Sequence, residues 1–447
     1  MKLWNSKGIP LNKEIEEFLS GKDISFDQKL IEFDCIASIA HAKMLAKIKV
    51  ISEKECSGLE KELKKIIELN SKGKFKLGVS DEDCHTKIEN YLVKKLGSTG
   101  KKIHSGRSRN DQILTALRLY SKQKLIQAKK ETLKLCSSLV KKAEENEFEF
   151  MPGYTHLQQA MPSSVGLWLS AFSESLLDDI ELLEAISKIN NQNPLGSAAG
   201  YGTIIPIDRE FTTNLLGFEK IQNNVLYCIN SRGKIESMIL FSLMQIMLDL
   251  NKKATDLLLF STKEFDFVSL PDEFLTGSSI MPQKKNYDLL EIMKANSSKM
   301  LGLMISCIST INSLPSGYNR DTQLTKEYLM NGFGLCIDSI KVMTKVISNL
   351  QINKEKMKAN YSKEIFAAGL ANEMVLNGIP FREAHKKISK ELEKIKKQEL
   401  EKNLKKKKLI GGTGNLGLDG LKEKIEAKLN EKIKKNELKI ENFNAKQ

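Results

Sequence analysis

The sequence predicts an all-α protein built around a long central helical bundle. Proline occupies only nine of the 447 positions, and long stretches of the chain contain none. Proline is rarely tolerated inside a helix, so its scarcity leaves room for long helices. Within those stretches, apolar residues recur at steps of three and four, which is typical of helices, and no segment favours a β-strand.

Five long helices are expected. The pattern is clearest over residues 235–258, where Ile235, Ile239 and Ile246 share one face, and apolar residues on other faces indicate burial on several sides. The other helices are expected at residues 110–147, 163–190, 286–312 and 322–352. We predict that this central bundle domain covers residues 106–355, between smaller helical domains at 1–105 and 356–447.

The length of these helices also predicts self-association. A bundle helix of 35 to 40 residues is roughly 50 to 60 Å long. A single chain has difficulty covering such a helix, so we expect a symmetric oligomer whose subunits share helical faces.

Composition limits the possible classes of function. The chain carries a net charge of +14, but the excess is nearly all lysine, with only seven arginines. We predict no nucleic-acid partner, because no aromatic platform, zinc-ligand spacing or RNA-binding motif accompanies this charge. No segment approaches the roughly 20 apolar residues that span a bilayer, and no signal peptide is recognisable, so we expect a cytoplasmic protein that does not bind membranes. The seven scattered cysteines favour neither disulfides nor a metal site.

Polar segments punctuated by glycine or proline interrupt the helices, and such segments commonly carry function. The first, residues 81–87, contains His85. The second, residues 104–112, contains Ser108, Arg109 and Asn110 where a long helix is expected to begin. A hydroxyl, an amide and free N–H groups in that first turn could bind a carboxylate, although a simple helix cap would use the same residues.

Three later segments have the same character. Residues 151–158 contain Thr155 and His156, and an imidazole is suited to proton transfer near neutral pH, although a structural histidine is equally common. Residues 277–286 read GSSIMPQKKN, where glycine and proline exclude a continuous helix and the polar groups could surround a small anion. Residues 315–327 add donors from Tyr318, Gln323 and Lys326.

Five motifs, read together and in chain order, resemble the fumarase/aspartase superfamily. GSSxMPxKxN is similar to the superfamily signature. QKKN after MP, GRSRNDQ, GYTHLQ and YNRDxQLTKE are similar to the argininosuccinate lyase family within it. The resemblance covers most of the chain. It implies an all-α homotetramer in which each active site takes segments from three subunits.

The resemblance also implies a reaction, the splitting of argininosuccinate into L-arginine and fumarate at the last step of arginine biosynthesis, without a cofactor or a metal. Ser278 would be the general base, supported by Lys284, backbone N–H groups and exclusion of water. Ser279 is an alternative base. His156 would protonate the leaving nitrogen, directly or through a neighbour, although the opposite assignment of acid and base stays open.

The remaining family positions are expected to bind substrate. They are Asp27, His85, Ser108, Arg109, Asn110, Thr155, Asn286, Tyr318, Arg320, Gln323 and Lys326. The sequence departs from the family at its start, where residues 3–7 read LWNSK. It also departs at Asp23, where the family has serine, and a carboxylate there either alters affinity or points away. The alternatives are another fumarate-releasing lyase, of the adenylosuccinate lyase or aspartase type, and an inactive structural homologue.

Overall fold

The computed structural model describes residues 12–78 and 81–430, so the atypical residues 3–7 lie outside the described part. Among the N-terminal helices, α4 (Glu53–Ser71) and α5 (Cys84–Leu96) pack against α3 (Ile31–Lys47), a helix that is buried along most of its length. A capping box between Ser52 and Glu55 starts the helix that follows it. These N-terminal helices are α1 (Lys13–Ser20), α2 (Asp23–Asp27), α3 (Ile31–Lys47), α4 (Glu53–Ser71), α5 (Cys84–Leu96) and α6 (Ser98–Lys102).

The five expected long helices are present, and the predicted all-α bundle is confirmed. They are α7 (Arg109–Glu145), α8 (Val165–Asn190), α11 (Lys234–Phe260), α12 (Asp288–Ile311) and α13 (Thr325–Ser348). Two short helices, α9 (Arg209–Leu216) and α10 (Val225–Asn230), lie between α8 and α11. Helix α11 packs against α8, α12 and α13, and α7 packs against α8 and α13. Leu240, Leu243 and Met247 of α11 are almost fully buried in this core.

Five shorter helices follow the bundle. They are α14 (Lys354–Ala359), α15 (Ala367–Leu376), α16 (Phe381–Lys390), α17 (Leu400–Lys405) and α18 (Leu418–Asn430). Helix α18 returns to pack on α7 and α8. Within the described residues, no helix is both long enough and apolar enough to cross a membrane. All seven cysteines are reduced and buried.

Short strands are also present, so the expectation that no segment forms a strand was wrong. Strands β1 (Phe150–Thr155) and β2 (Gln158–Ser164) form an antiparallel hairpin. Two smaller pairs are β3 (Gln192–Asn193) with β4 (Lys220–Ile221), which is parallel, and β5 (Val268–Ser269) with β6 (Gln351–Ile352), which is antiparallel. The hairpin was not predicted for two reasons. Proline within a segment argues against a strand, and Pro152 and Pro162 lie opposite each other in this hairpin. Its turn also contains no glycine, which is the usual sign of a hairpin.

A buried ion pair joins two of the long helices. Arg118 of α7 and Glu236 of α11 are each 1% exposed, and Arg118 Nη1 lies 3.6 Å from Glu236 Oε1. The other carboxylate oxygen of Glu236 accepts the Gly233 N–H at 2.6 Å, where α11 begins. The same carboxylate therefore caps one helix and neutralises a cation on another.

We expect Glu236→Gln to lower the free energy of unfolding by about 3 to 5 kcal/mol, because it leaves the Arg118 guanidinium buried without a counter-charge. Urea unfolding followed by circular dichroism, at fixed protein concentration, measures the change. The double variant Arg118→Met, Glu236→Leu removes both charges and should lose less stability than the single variant. A single variant as stable as the native chain would contradict this role for the ion pair.

Candidate active site

A cleft of about 330 Å³ lies between the N-terminal helices and the segment that precedes α13. It brings together residues that are far apart in the sequence, from α2, α5, α7 and the loop before α13. Eight predicted substrate-binding residues line it: Asp27, His85, Arg109, Asn110, Tyr318, Arg320, Gln323 and Lys326. Five further residues line it that were not predicted as ligands: Asp23, Glu82, Asp83, Ile113 and Arg232.

The Lys326 ammonium group lies between two carboxylates at one end of the cleft. Its Nζ is 2.5 Å from Asp27 Oδ1 and 2.7 Å from Asp23 Oδ1, and the lysine side chain is 3% exposed. Burial alone would raise the pKa of Asp27, but the charges of Lys326 and His85, together with hydrogen bonds from Lys326 and the Cys84 N–H, outweigh burial and lower it. For Asp23 burial prevails and the pKa is raised. Two carboxylates thus share one ammonium here, and the charge of Arg232, which also lines the cleft, acts on Asp23 as well.

Asp23 therefore does not point away from the cleft. Its Oδ1 contacts Lys326, and its Oδ2 accepts a hydrogen bond from Gln323 Nε2 at 2.7 Å. The alternative that this carboxylate turns outward was wrong. The residue joins α2 to two of the donors that were predicted to bind substrate, so it belongs to the candidate site.

Arg109 lines the cleft and also fixes the start of α5. Its guanidinium donates to Asp83 Oδ2 at 3.2 Å and to Thr86 Oγ1 at 2.9 Å. Asp83 is itself the N-cap of α5, since its carboxylate accepts the Thr86 N–H. Both donations from the Arg109 guanidinium are thus made to protein groups, and they position the helix that carries His85.

The Ser108 segment forms the helix cap that was one of its two interpretations. The Ser108 hydroxyl accepts the Asn110 N–H at 3.3 Å, and the Asp111 carboxylate accepts the Ser108 N–H at 2.9 Å. The other oxygen of Asp111 accepts the Gly196 and Ala198 N–H groups, which ties the loop at 194–202 to the start of α7. Burial raises the pKa of Asp111 to about 6. Asn110 is directed to the cleft from the same turn.

His85 is backed by a buried carboxylate. Its Nδ1 lies 2.7 Å from Asp34 Oδ2, and the side chains of the two residues are 6% and 0% exposed. Burial alone would lower the pKa of His85, but the Asp34 carboxylate, together with Asp83 and Asp27, raises it. These carboxylates therefore favour the charged form of the imidazole at the wall of the cleft.

His156 lies at the tip of the β1–β2 hairpin. It and Leu157 form the two-residue turn, with φ angles of 54° and 59°. Both residues adopt left-handed backbone conformations, as a type I′ turn requires, although glycine or asparagine is the usual choice there. Such strain is frequent at functional sites. Thr155, His156 and the 77% exposed Leu157 project from the body of the subunit.

Residues 276–286, which we call the signature loop, form a loop whose two ends are joined by backbone hydrogen bonds. Thr276 and Asn286 exchange backbone hydrogen bonds at 3.1 and 2.9 Å. Inside the loop, the Ser278 oxygen accepts the N–H groups of Met281 at 3.0 Å and Ile280 at 3.3 Å. Ile280 is 85% exposed, and the Lys284 side chain is exposed as well. The loop is thus held by hydrogen bonds to its own backbone N–H groups, and its tip is exposed to solvent.

Apart from Ser108, which caps α7, the predicted site residues fall into three groups within a single chain. One group lines the cleft, the second is the hairpin tip with Thr155 and His156, and the third is the loop with Ser278, Lys284 and Asn286. The second and third groups do not line the cleft. The cleft of one chain therefore collects ligand-binding groups but lacks the predicted base and acid.

Sequence reasoning missed several cleft residues, although signals for some were present. Asp83 and Glu82 lie in the acidic run beside His85, which could have indicated a second charged group. Arg232 is one of only seven arginines and lies 5.6 Å from the Tyr318 ring centroid. Because arginine is rare in this sequence, Arg232 could have been chosen as a candidate from the sequence alone. Asp34 stands in an apolar helix and gave none.

Comparison with known proteins decides the family. Residues 16–302 match the model of a family described as lyase. The argininosuccinate lyase of Phocaeicola vulgatus is 42% identical over 392 residues, which cover 88% of this chain and 88% of that protein. The argininosuccinate lyase of Thermotoga neapolitana is 41% identical over 388 residues, which cover 87% and 97%. That of Sorangium cellulosum is 38% identical over 426 residues, which cover 95% and 99%.

The chain belongs to the argininosuccinate lyase family. The resemblance inferred from the five motifs is confirmed, and the protein is a lyase that cleaves a carbon–nitrogen bond. Solved structures agree with the fold. EDDS lyase in complex with formate has a TM-score of 0.79 at 22% identity, covering 98% of this chain and 93% of that one. The fumarate lyase:delta crystallin from Brucella melitensis bound to cobalt has a TM-score of 0.71 at 20% identity, covering 90% of both chains.

Proposed function

We propose that the protein catalyses the reversible elimination that splits argininosuccinate into L-arginine and fumarate, as the cytoplasmic last step of arginine biosynthesis. One observation carries the proposal beyond family membership. Eight predicted substrate-binding residues from distant parts of the sequence converge on a single cleft. This convergence of positions from separate motifs supports the cleft as the substrate-binding site.

The charges of the cleft suit a substrate that has both signs. Argininosuccinate carries three carboxylates, an ammonium group and a guanidinium. The Asp23 and Asp27 carboxylates, whose combined charge exceeds that of Lys326, suit a cationic group of the arginine half. Arg320 and His85, with the amide of Asn110, suit carboxylates. Tyr318 and Gln323 supply neutral donors between these charged groups.

Ser278 is the proposed base. Two backbone N–H groups already donate to its oxygen, and an alkoxide would accept the same bonds more strongly. The Lys284 ammonium, which belongs to the same loop, would lower the pKa of the hydroxyl further, because its charge acts more strongly once loop closure excludes water. These amide bonds favour Ser278 over Ser279. His156 is the proposed acid for the departing nitrogen, with Thr155 and Asn286 binding the succinate half beside it.

The separation of the three groups supports a shared site in a homotetramer. The hairpin tip and the signature loop project from the subunit, where they can reach the cleft of another copy. Helix α12 also exposes apolar side chains that a partner would cover, namely Ile292, Leu301, Ile305 and Ile308, each at least 42% exposed. We therefore propose that each active site combines the cleft of one subunit with His156 and Ser278 from two others.

Substrate identity is tested by assaying fumarate release in the ultraviolet with argininosuccinate, adenylosuccinate, aspartate and malate in separate reactions. We expect turnover with argininosuccinate only, because the carboxylates at 23 and 27 suit a cation that malate and adenylosuccinate do not present. Turnover of one of the other three alone would assign the protein to another fumarate-releasing reaction. Absence of turnover with all four would indicate an inactive homologue.

We expect Ser278→Ala to reduce kcat by at least about 10³-fold, since proton abstraction loses its base. Substrate binding and oligomer size should be preserved, because the side chain is in a solvent-facing loop. Steady-state assays, isothermal titration with argininosuccinate and light scattering measure these three properties. Ser279→Ala is the matched control and should retain most of its activity. Near-normal turnover by Ser278→Ala would show that the base is elsewhere.

Mixing two inactive variants tests whether subunits share a site. His156→Asn and Ser278→Ala are each expected to be inactive. If the two groups of one site come from different subunits, subunit exchange in an equal mixture should restore roughly a quarter of the native activity, because each contributing subunit has an even chance of supplying an intact residue. A mixture that stays inactive, although light scattering shows an exchanged tetramer, would place both residues of a site on one chain.

A further inference from the structure

The Asp34 carboxylate lies directly behind His85, on the side away from the cleft. It belongs to α3 and has no solvent exposure, whereas His85 belongs to α5 and lines the cleft. The 2.7 Å separation between Asp34 Oδ2 and His85 Nδ1 is a charge-assisted hydrogen bond. This contact joins the cleft wall to a helix that lies in the N-terminal core.

Other donors fix the carboxylate in place. Gln112 Nε2 of α7 lies 2.8 and 3.0 Å from its two oxygens. The Ser38 hydroxyl, one turn along α3, donates to Oδ1 at 3.2 Å, and Arg107 in turn donates to the Ser38 oxygen at 2.9 Å. Because donors from α3, α5 and α7 converge on Asp34, its orientation is determined by three helices. The orientation of the His85 ring, which Asp34 holds through Nδ1, is therefore fixed as well.

This arrangement sets the roles of the two ring nitrogens. Nδ1 donates its proton to Asp34, which leaves Nε2 as the nitrogen available to a ligand in the cleft. The Cys84 sulfur lies 3.6 Å from Nδ1 and 4.0 Å from Nε2, and burial raises the pKa of that thiol, so it adds no charge. When the imidazole is charged, Nε2–H is a donor aimed at an anion.

The charges that most strongly affect the pKa of the His85 ring are those of carboxylates. Carboxylates act on it from three elements, and together they oppose the effect of burial on its pKa. Its charge in turn lowers the pKa of His104, although burial, Arg107 and Arg109 contribute more to that shift. The ionisable groups around His85 are Asp34 of α3, Asp27 of α2, Asp83 beside α5 and His104 in the loop before α7, together with Arg109 and Lys326, which line the same cleft.

We propose that Asp34 is a positioning residue of the active site, which holds His85 as an imidazolium with Nδ1 turned inward so that Nε2–H binds a carboxylate of the substrate. The inference rests on the proposed function for the identity of that substrate. Asp34 itself does not contact substrate. Its contribution is the charge and the orientation that it gives to the ring.

Asp34→Asn tests the role while preserving side-chain shape. Loss of the negative neighbour favours the neutral imidazole, so the pKa of His85 should fall by about 1 to 3 units. The native KM for argininosuccinate should rise only above the native pKa of His85. In the variant that rise should begin at correspondingly lower pH. At neutral pH we expect KM to increase on the order of 10-fold with a smaller change in kcat, since a charge-assisted hydrogen bond in binding is lost.

Two controls separate positioning from a general structural role. Asp249→Asn replaces a partly buried carboxylate of α11 that does not line the cleft, and it should leave the KM profile unchanged. In a His85→Gln background, adding Asp34→Asn should change KM little, because the two residues act through one contact. A loss in kcat and KM of the same size at every pH, without a shift of the profile, would overturn the proposal.

Histidine NMR on the ligand-free protein tests the charge directly and does not require activity. The chain has only five histidines, so single substitutions assign the 13Cε1 signals. The His85 signal should titrate at lower pH in Asp34→Asn than in the native chain, and the Asp249→Asn protein should titrate as the native one does. An unchanged His85 titration would refute the role of Asp34 even if argininosuccinate is the substrate. A shifted titration would support it even if another succinate derivative is.

Discussion

The contact between the Lys326 ammonium group and the carboxylates of Asp23 and Asp27 is the constraint from which the cleft follows. It is the ion-pair link between α2 and the start of α13, two elements nearly 300 residues apart in the chain. A buried ammonium is costly unless it is paired, so α2 must dock against the bundle for Lys326 to be satisfied. Docking closes one end of the cleft and turns Gln323 toward the same carboxylate. The binding surface therefore forms as a consequence of pairing the buried Lys326 ammonium with two carboxylates.

A second set of contacts organises the opposite wall. The start of α7 supplies a capping box, and the same Asp111 carboxylate secures the glycine-rich loop at 194–202. Arg109 then holds the N-cap of α5, and α5 presents His85. Each step uses a helix terminus, where backbone donors lack partners inside the helix. The polar segments between the helices are thus functional because the ends of the helices need polar partners.

The sequence predicted the fold closely where periodicity was strong. The five long helices were found with ends within a few residues, since each has apolar residues on most of its faces and few interruptions. The hairpin at 150–164 was missed, because a two-residue turn of His156 and Leu157 adopts φ angles that the residue types do not indicate. Eight of the substrate-binding residues converge as the motifs implied. Asp34 could not be recognised as part of the site, because its importance lies in a contact with a residue 51 positions away. Asp23 was noticed only as a departure from the family, and its contact with Lys326, 303 positions away, could not be foreseen. Such distances are set by tertiary packing and leave no local pattern.

All seven native thiols are enclosed within the protein, and burial raises the pKa of each of them. Thiolates are scarce and sheltered, so alkylating reagents find little to attack while the chain stays folded. The native cysteines therefore contribute little signal when the folded protein is labelled with a thiol reagent. A single cysteine introduced at the solvent-facing position 280 could carry a fluorophore without removal of any native sulfur. The movement of the signature loop could then be followed in real time in an otherwise unaltered protein.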